Sequence, residues 1–539
     1  MKLNKIKTFI TAASLTLLLG TTSCVGDLDV EPINPQQTME ANNDALFNKV
    51  YASFALTGQT GPAGSGDVAD IDEGQSDFYR MSWYMNEFTT DEAHWVWATD
   101  AGVPDLLHNS WGASNVFSVG LYYRLYFTIT LCNFYLEQVP DDGTAETAMR
   151  RAEVRFIRAL QYYYIMDAYG NAPFMTTVSS DLAEYYTRDR FFTFVESELK
   201  DCVNSMAEAG QNTYGRVDKV AVWNLLARLY LNAEVYTGTA HWQEAMDYAE
   251  MVINNGYYHL CTKGATNPVT GEVYSAYQML FLADNNETDA RYEMIFPVMF
   301  DGQTTKSYGG MNFLVLGSYS SDMSVNVPSG TNNSWGKCIR IRKQLLDKFY
   351  PTTEAPAGNN VATMTAAAND DRALFYGDGF NASIEDESSQ TDGYGCVKFR
   401  NVRSDGQSNP VIDYVYTDLA LFRMAEAYLT YAEASTRLNG PNADASGMIN
   451  VLRNRANAAT QNIYTLDNIL DEWSREFWLE GRRRMDLIRF GRFGGQATYK
   501  WEWMGGTYNG AQFGKYMNIF AIPENDLTNN GNLTQNPGY

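Results

Sequence analysis

Apolar positions along this chain fall mostly at the three- and four-residue spacing of helices that bury one face. Tyr and Leu recur in this way over residues 118–137. A second stretch, 146–169, runs into Tyr169-Gly170-Asn171-Ala172-Pro173, a glycine stop followed by a proline that cannot continue the helix. The same period predicts helices over 43–56, 191–207, 217–232 and 242–254, and again over 417–439, 444–457 and 466–490. The expected class is mainly α.

Within these helices a repeat appears. Trp223, Leu226, Ala227 and Tyr230 have the spacing with which the first helix of a tetratricopeptide pair interlocks with its second. Ala245, Ala249 and Val252 supply that second helix, after a linker longer than the consensus. Leu421, Met424, Ala425 and Tyr428 repeat the spacing, with Ile449 and Leu452 on the partner helix, and Phe156, Ala159, Leu160 and Tyr163 match more weakly. Long insertions separate the matches, so the expectation is degenerate helical pairs, not a continuous solenoid.

Two regions break the period. Residues 57–110 begin rich in Gly and Asp, and 257–415 are rich in Gly, Asn, Ser and Thr, with short β-like runs such as Met294-Ile295-Phe296-Pro297-Val298. The predicted organisation is a helical scaffold over 38–256 that carries a binding-loop insertion at 57–110. An irregular, loop-rich module over 257–415 follows, and then C-terminal helical pairs and a tail over 416–539; 257–539 as one unit is the alternative. Long loops on a rigid scaffold are where binding residues gather. One loop sets Trp95 and Trp97 a residue apart between acids. In an extended chain both rings point to one side, so either both are buried or one reaches solvent. Two core tryptophans are the commoner arrangement. An exposed ring needs a flat apolar partner, and the face of a pyranose is one.

Composition sharpens this. Aromatic residues make up 14% of the 539, with 36 Tyr, 27 Phe and 11 Trp, a surplus that suits stacking on ligands as well as filling helical cores. The net charge of −24 argues against nucleic acid and disfavours strongly anionic polysaccharides, and it leaves a neutral ligand indifferent. Lys2, Lys5 and Lys7 precede an apolar run at 9–20 that is too short to span a membrane, and small residues lead into Cys24. This is the pattern of a bacterial lipoprotein signal over 1–23, with acylation of Cys24 and an acidic tether over 24–37. Cys132, Cys202, Cys261, Cys338 and Cys396 form no C-x-x-C, so buried free thiols are expected. His94, His108, His241 and His259 show no metal-binding or triad spacing, and His94 reads as a structural histidine beside Trp95.

The lipoprotein signal joins three further motifs. One is Ala152-Glu153-Val154-Arg155-Phe156-Ile157-Arg158-Ala159 with its Tyr-Gly-x-x-Pro ending; another is the Arg/Glu-rich run over 472–491. The third is the tail from Ile522-Pro523 to Asn536-Pro537-Gly538-Tyr539. With these the chain resembles the SusD/RagB family of outer-membrane glycan-binding lipoproteins over essentially its whole mature length. Read physically, the Arg/Glu run stitches helices together: Glu480 with Arg484 and Arg482 with Asp486 lie at i,i+4, and Glu472 with Arg475 and Asp486 with Arg489 at i,i+3.

The resemblance extends to the family's starch-binding member. It implies that Trp97, Tyr308 and Trp335 form an aromatic arc around a helical α-glucan, with Asp72 and Arg80 bonding sugar hydroxyls. Asp100 stands where the starch binder has an amide, and a carboxylate cannot donate. The implied role is non-catalytic capture of starch or maltooligosaccharide on the outer face of a Gram-negative outer membrane. The implied partner is a SusC-type TonB-dependent transporter, to which the glycan is delivered. No catalytic residue and no cofactor are expected. The family's structural calcium is not assigned, because only Asp418 and the acidic loop near Asn286 match and Tyr416 replaces a carboxylate. Three other readings remain in view: a different neutral glycan, a glycoside hydrolase, which needs two carboxylates flanking the bond, and a pure protein-interaction scaffold.

Overall fold

The helices that build the scaffold and the site include α1 (Asn43–Ala52), α2 (Phe78–Trp83), α3 (Val116–Gln138), α4 (Ala145–Tyr169), α5 (Arg188–Cys202), α6 (Lys219–Leu231), α7 (Trp242–Ile253), α8 (Gly310–Ser318), α9 (Met424–Asn439), α10 (Ala443–Arg455), α11 (Leu466–Phe477) and α12 (Arg483–Arg489). Short strands form antiparallel pairs, among them β1 (Ala93–Trp95), β2 (Met294–Val298), β3 (Ile339–Ile341) and β4 (Leu419–Arg423). This computed structural model describes residues 42–59, 61–62, 64–97, 99–495 and 498–539. The signal segment, Cys24 and the tether therefore lie outside the described residues. Among those residues no helix is long and apolar enough to cross a membrane.

The helices begin where side chains can take up their first free N–H groups. Asn115 accepts from the backbone of Phe117 and Ser118, Asp218 from Val220 and Asn442 from Ala445, while Thr465 and Asn468 form a capping box. Gly170 ends α4 at φ 70°, as the glycine stop predicted. α4 packs between α3 and α5. Farther on, α6 packs on α7, α7 on α9, and α9 on α10 and α11. Ala245, Ala249 and Val252 are buried in α7, and Leu226, Ala227 and Tyr230 in α6. The extra length of the linker between those two helices is taken up by a short helix, Ala233–Thr237.

Two boundaries differ from expectation. The stretch 417–439 is not one helix: Leu419–Arg423 pairs with Met294–Val298 as strand, and the helix begins at Met424. Leu421 therefore sits on a strand, while Met424, Ala425 and Tyr428 lie on α9 and Ile449 and Leu452 on α10. Residues 466–490 also divide. Leu479 at φ 57° and Gly481 at φ 75° break the chain between α11 and α12. The amides freed by the break are capped from far away: Glu92 accepts from Leu479 at 3.2 Å, and Glu87 accepts from Gly481 at 2.7 Å and from Arg482 at 3.0 Å. Across the break Glu480 turns to Lys398 and Arg423, both at 2.8 Å, so the expected Glu480–Arg484 pair does not form. Arg484 lies 3.4 Å from Asp167 instead. The other three pairs do form, Arg482–Asp486 at 3.0 Å, Glu472–Arg475 at 3.1 Å and Asp486–Arg489 at 2.8 Å.

These charges belong to the interior. Glu476 is buried and accepts from Arg372 at 3.1 Å, from Arg423 at 2.7 Å and from Arg455. Arg423 and Arg455 also each reach Glu293 at 3.0 Å, which ties α11 to the segments before β2 and α9. The region 57–110 is likewise less loop-like than its Gly-rich start implies. Phe78, Met81, Trp83, Met85, Phe88, Trp95 and Leu106 are all buried, and they pack α2 and β1 into the body. All five cysteines from Cys132 onward are free and buried.

Candidate functional site

β1 lies antiparallel to β3, with Trp95 opposite Ile339, and Val96 N–H extends the ladder to the Cys338 carbonyl at 3.0 Å. Side chains alternate faces along a strand, yet the strand ends at Trp95 and the two tryptophans part company. Trp95 is fully buried against Tyr84, Phe88 and Phe313, while Trp97 is 40% exposed. The rings meet edge to face at 5.5 Å and 83°. Asp100 fixes the turn, its Oδ2 accepting from the Trp95 indole at 2.9 Å and its own N–H donating to the Trp97 carbonyl at 3.1 Å. An Asp at 100 thus has work inside the protein as well as toward the cavity.

At the same end of the β1–β3 pair, the chain before β3 runs beside α8, with Trp335 N–H donating to the Leu316 carbonyl at 2.7 Å. Trp335 faces the same cavity as Trp97. Tyr308 stands 6.2 Å from Trp335 at 62°, and Tyr414 stands 5.9 Å from Tyr308 at 37°, so the rings make a wall that turns. The cavity holds about 880 Å³ and is lined by all six residues expected from the sequence, Asp72, Arg80, Trp97, Asp100, Tyr308 and Trp335. Gln75, Asn333, Asp413 and Tyr414 are among the other residues that line it. Tyr414 was not anticipated; it is a lone ring in a loop without periodicity, and only its approach to Tyr308 reveals it. Burial pushes its phenol up to about 12, with the Tyr308 hydroxyl adding to the effect.

Two separated segments are joined beneath the rings by Asp77. Its Oδ1 accepts from Arg80 N–H at 2.8 Å, which caps α2, and from Gly310 N–H at 3.0 Å, where α8 begins. The approach is so close that a Cβ on Gly309 would lie 2.0 Å from the Asp77 carboxyl carbon, hence glycine there. Burial raises the Asp77 carboxyl to about 6, against the backbone donors and the Arg124 and Arg80 charges that pull it down. Arg80 itself is nearly buried, at 6% exposed, and lies behind the rings. Asp72 is exposed at the rim.

Other expected features resolve simply. His94 is buried with Nε2 3.2 Å from the Glu387 carbonyl, and burial keeps its pKa well down, so it is a neutral structural ring. Asp418 accepts from Phe300 N–H at 2.8 Å and from the Tyr214 hydroxyl at 2.9 Å. Among the described residues no cluster of three or more His, Cys, Asp or Glu is placed to hold a metal ion.

A helical scaffold carrying a wide cleft walled by angled rings is the build of a ligand-binding protein, in which flat apolar surfaces do the holding and a few polar groups fix orientation. Comparison with known proteins agrees. A sequence profile of the SusD family matches residues 233–539, and one described as starch-binding and associating with the outer membrane matches 27–231. The chain is 41% identical over its full length, and over the full length of the relative, to the starch-binding protein SusD of Bacteroides thetaiotaomicron. It is 26% identical, over 68% of this chain and 69% of the relative, to SusD-like protein P25 of Formosa agariphila. Among solved structures, surface glycan-binding protein A of Bacteroides thetaiotaomicron in complex with laminarihexaose shares the fold at TM-score 0.63 and 20% identity. That match covers 92% of this chain and 98% of the other. A SusD-like protein of Bacteroides fragilis does so at TM-score 0.67 and 16% identity, over 92% and 96%. The chain belongs to the SusD family, a family of binding proteins.

Proposed function

We propose that this protein captures starch-type α-glucan at the cell surface without cleaving it and passes it to a TonB-dependent transporter of the SusC type. The observation that carries this reading is the cleft itself. Trp97, Tyr308 and Trp335 come from three distant segments and line one cavity, with Tyr308 and Trp335 inclined at 62°. A turning wall suits a ligand with its own curvature, as α-1,4-glucan has, and a flat β-1,4-chain would touch fewer rings. The 41% identity to a protein named for starch binding supports the same ligand class. Asp72 and Asp100 act as hydroxyl acceptors at the rim.

Each sugar face stacked on a ring covers roughly 50 Å² of apolar surface, on the order of 1 kcal/mol at about 25 cal/mol/Å². Ordering a flexible oligosaccharide offsets part of this, so the affinity falls between about micromolar and millimolar. Cleavage needs an acid and a second carboxylate placed across a glycosidic bond. Of the three aspartates that line the cleft, Asp72, Asp100 and Asp413, Asp100 has one oxygen committed to the Trp95 indole. The protein faces the exterior of the outer membrane, held by lipid on Cys24. A fatty-acid label that persisted in Cys24→Ala would contradict that anchor.

The expected result of native electrophoresis is retardation in a starch-containing gel. The same preparation should leave the length distribution of maltooligosaccharides unchanged. New reducing ends produced by purified protein would favour the hydrolase.

A further inference from the structure

A second hollow lies on the far side of α3. Arg124 extends from that helix toward the first cleft, where its Nε–H donates to the Ser76 carbonyl at 2.9 Å, one residue beyond Gln75. Tyr122 and Tyr126 stand about 200° around the helix from Arg124. They line a hollow of about 420 Å³ that the loop after Pro173 and the C-terminal turn Glu524–Asn529 also bound. That volume suits a small-molecule ligand.

The wall of the hollow is aromatic and fixed. Tyr122 and Tyr123 both donate their hydroxyls to Asp526, at 2.6 Å to Oδ2 and 3.1 Å to Oδ1, and Tyr126 donates to the Pro173 carbonyl at 2.5 Å. With the phenols tied back, the tyrosines offer ring surface. Tyr122 stands 4.7 Å from Tyr126 at 53° and 5.4 Å from Tyr123 at 85°. Val178 and Leu182, 48% and 58% exposed, add an aliphatic flank. Exposed apolar side chains gathered around a polar-rimmed hollow mark a ligand groove. The rim carries Asp181, Asp526, Asn529 and Asn530, and among the described residues no Lys, Arg or His lines it. Two carboxylates without a cation repel phosphates and uronates. An acyl chain would cover those carboxylates without hydrogen-bonding them, which is costly. A neutral sugar meets both demands, with a flat C–H face for the rings and hydroxyls for the carboxylate and the amides.

We propose that this hollow is a second glycan site, separate from the cleft of Trp97, Tyr308 and Trp335. One or two neutral pyranose units stack on Tyr123 and Tyr126 and bond Asp526 and Asn529. Each Asp526 oxygen keeps acceptor capacity beyond the one bond that its tyrosine uses. With so few contacts the affinity is about millimolar. The proposal rests on the starch reading only for its probe.

The test places a reporter beside this hollow. Among the described residues every cysteine is buried, so Thr534→Cys, exposed next to Leu533, supplies an accessible thiol for a polarity-sensitive dye. The background is Trp97→Ala/Trp335→Ala, which disables the first cleft. Maltoheptaose should change the dye emission saturably, with a midpoint of about millimolar. Adding Tyr123→Ala should raise that midpoint at least about fivefold, and Asn529→Ala at least about threefold. Asn529 is exposed, so the second variant keeps the test decisive if Tyr123→Ala fails to fold. No saturable change overturns the proposal, as does a change that both variants leave within about twofold, or a response to choline and none to sugar. If the unmodified protein gives no heat with maltoheptaose, the starch reading has failed, and the same dye is titrated with laminarihexaose and cellohexaose. A response there that Tyr123→Ala or Asn529→Ala weakens supports the second site, and silence overturns it.

Discussion

Trp97→Ala and Trp335→Ala should each weaken binding to amylose at least about tenfold, equivalent to roughly 1.4 kcal/mol, and together on the order of a hundredfold. The rings earn this expectation by position. Trp97 is 40% exposed over the cavity and is braced only edge to face against Trp95, so removing it takes away ligand contact and little of the core. Trp335 costs more, because its inner face lies on Arg80 and its neighbour Phe313 is 6.1 Å away. Thermal unfolding separates the two contributions: Trp97→Ala should melt close to the unmodified protein, and Trp335→Ala somewhat lower. Retention of amylose binding within about twofold by either variant would remove the aromatic wall from the account.

The largest expected loss of stability is at Glu476. This buried carboxylate answers three buried guanidinium groups, those of Arg372, Arg423 and Arg455. Removing one partner of such a network leaves the others buried without their counter-charge, at a cost of about 3–5 kcal/mol. Glu476→Ala should lose that much in denaturant unfolding, even though it lies outside the cleft. A loss below about 1 kcal/mol would mean that Glu293 and Glu472 neutralise the arginines without it. The pH dependence follows with a definite sign. Burial pushes the Glu476 carboxyl up, but Arg455, Arg423 and Arg372 pull it further down, to about 2. A carboxyl lowered on folding contributes stability that is complete above its unfolded value near 4.5 and is lost as pH falls through about 2. The network should therefore hold through mildly acidic conditions and fail only below them.

The helices were readable in the sequence because their apolar period and their stops are local. Gly170 and the caps at Asn442 and Thr465 act within a turn of the residues they serve. The break at 479–481 was not readable. Its freed amides are satisfied by Glu87 and Glu92, which lie nearly four hundred positions away in sequence, and no local pattern announces them. The same holds at Leu419–Arg423, where an apolar run that fits a helix pairs instead with Met294–Val298.

At the cleft, residue type at Trp95 and Trp97 left two arrangements, both rings buried or one exposed. The strand ending at Trp95 and the Asp100 latch decide for the second. The convergence of positions 72, 97, 308 and 335 came from the resemblance to a family, since periodicity carries no information about which loops meet. Tyr414 shows the limit of both routes, for it sits in no quoted motif and in no periodic element.

Calorimetric titration with maltoheptaose and, in parallel, with laminarihexaose tests the central claim most directly. The α-1,4-linked chain should bind with an affinity between about micromolar and millimolar, and the β-1,3-linked chain at least about tenfold more weakly. Equal or stronger binding of laminarihexaose, or no heat with maltoheptaose, would contradict the assignment of this cleft to α-glucan.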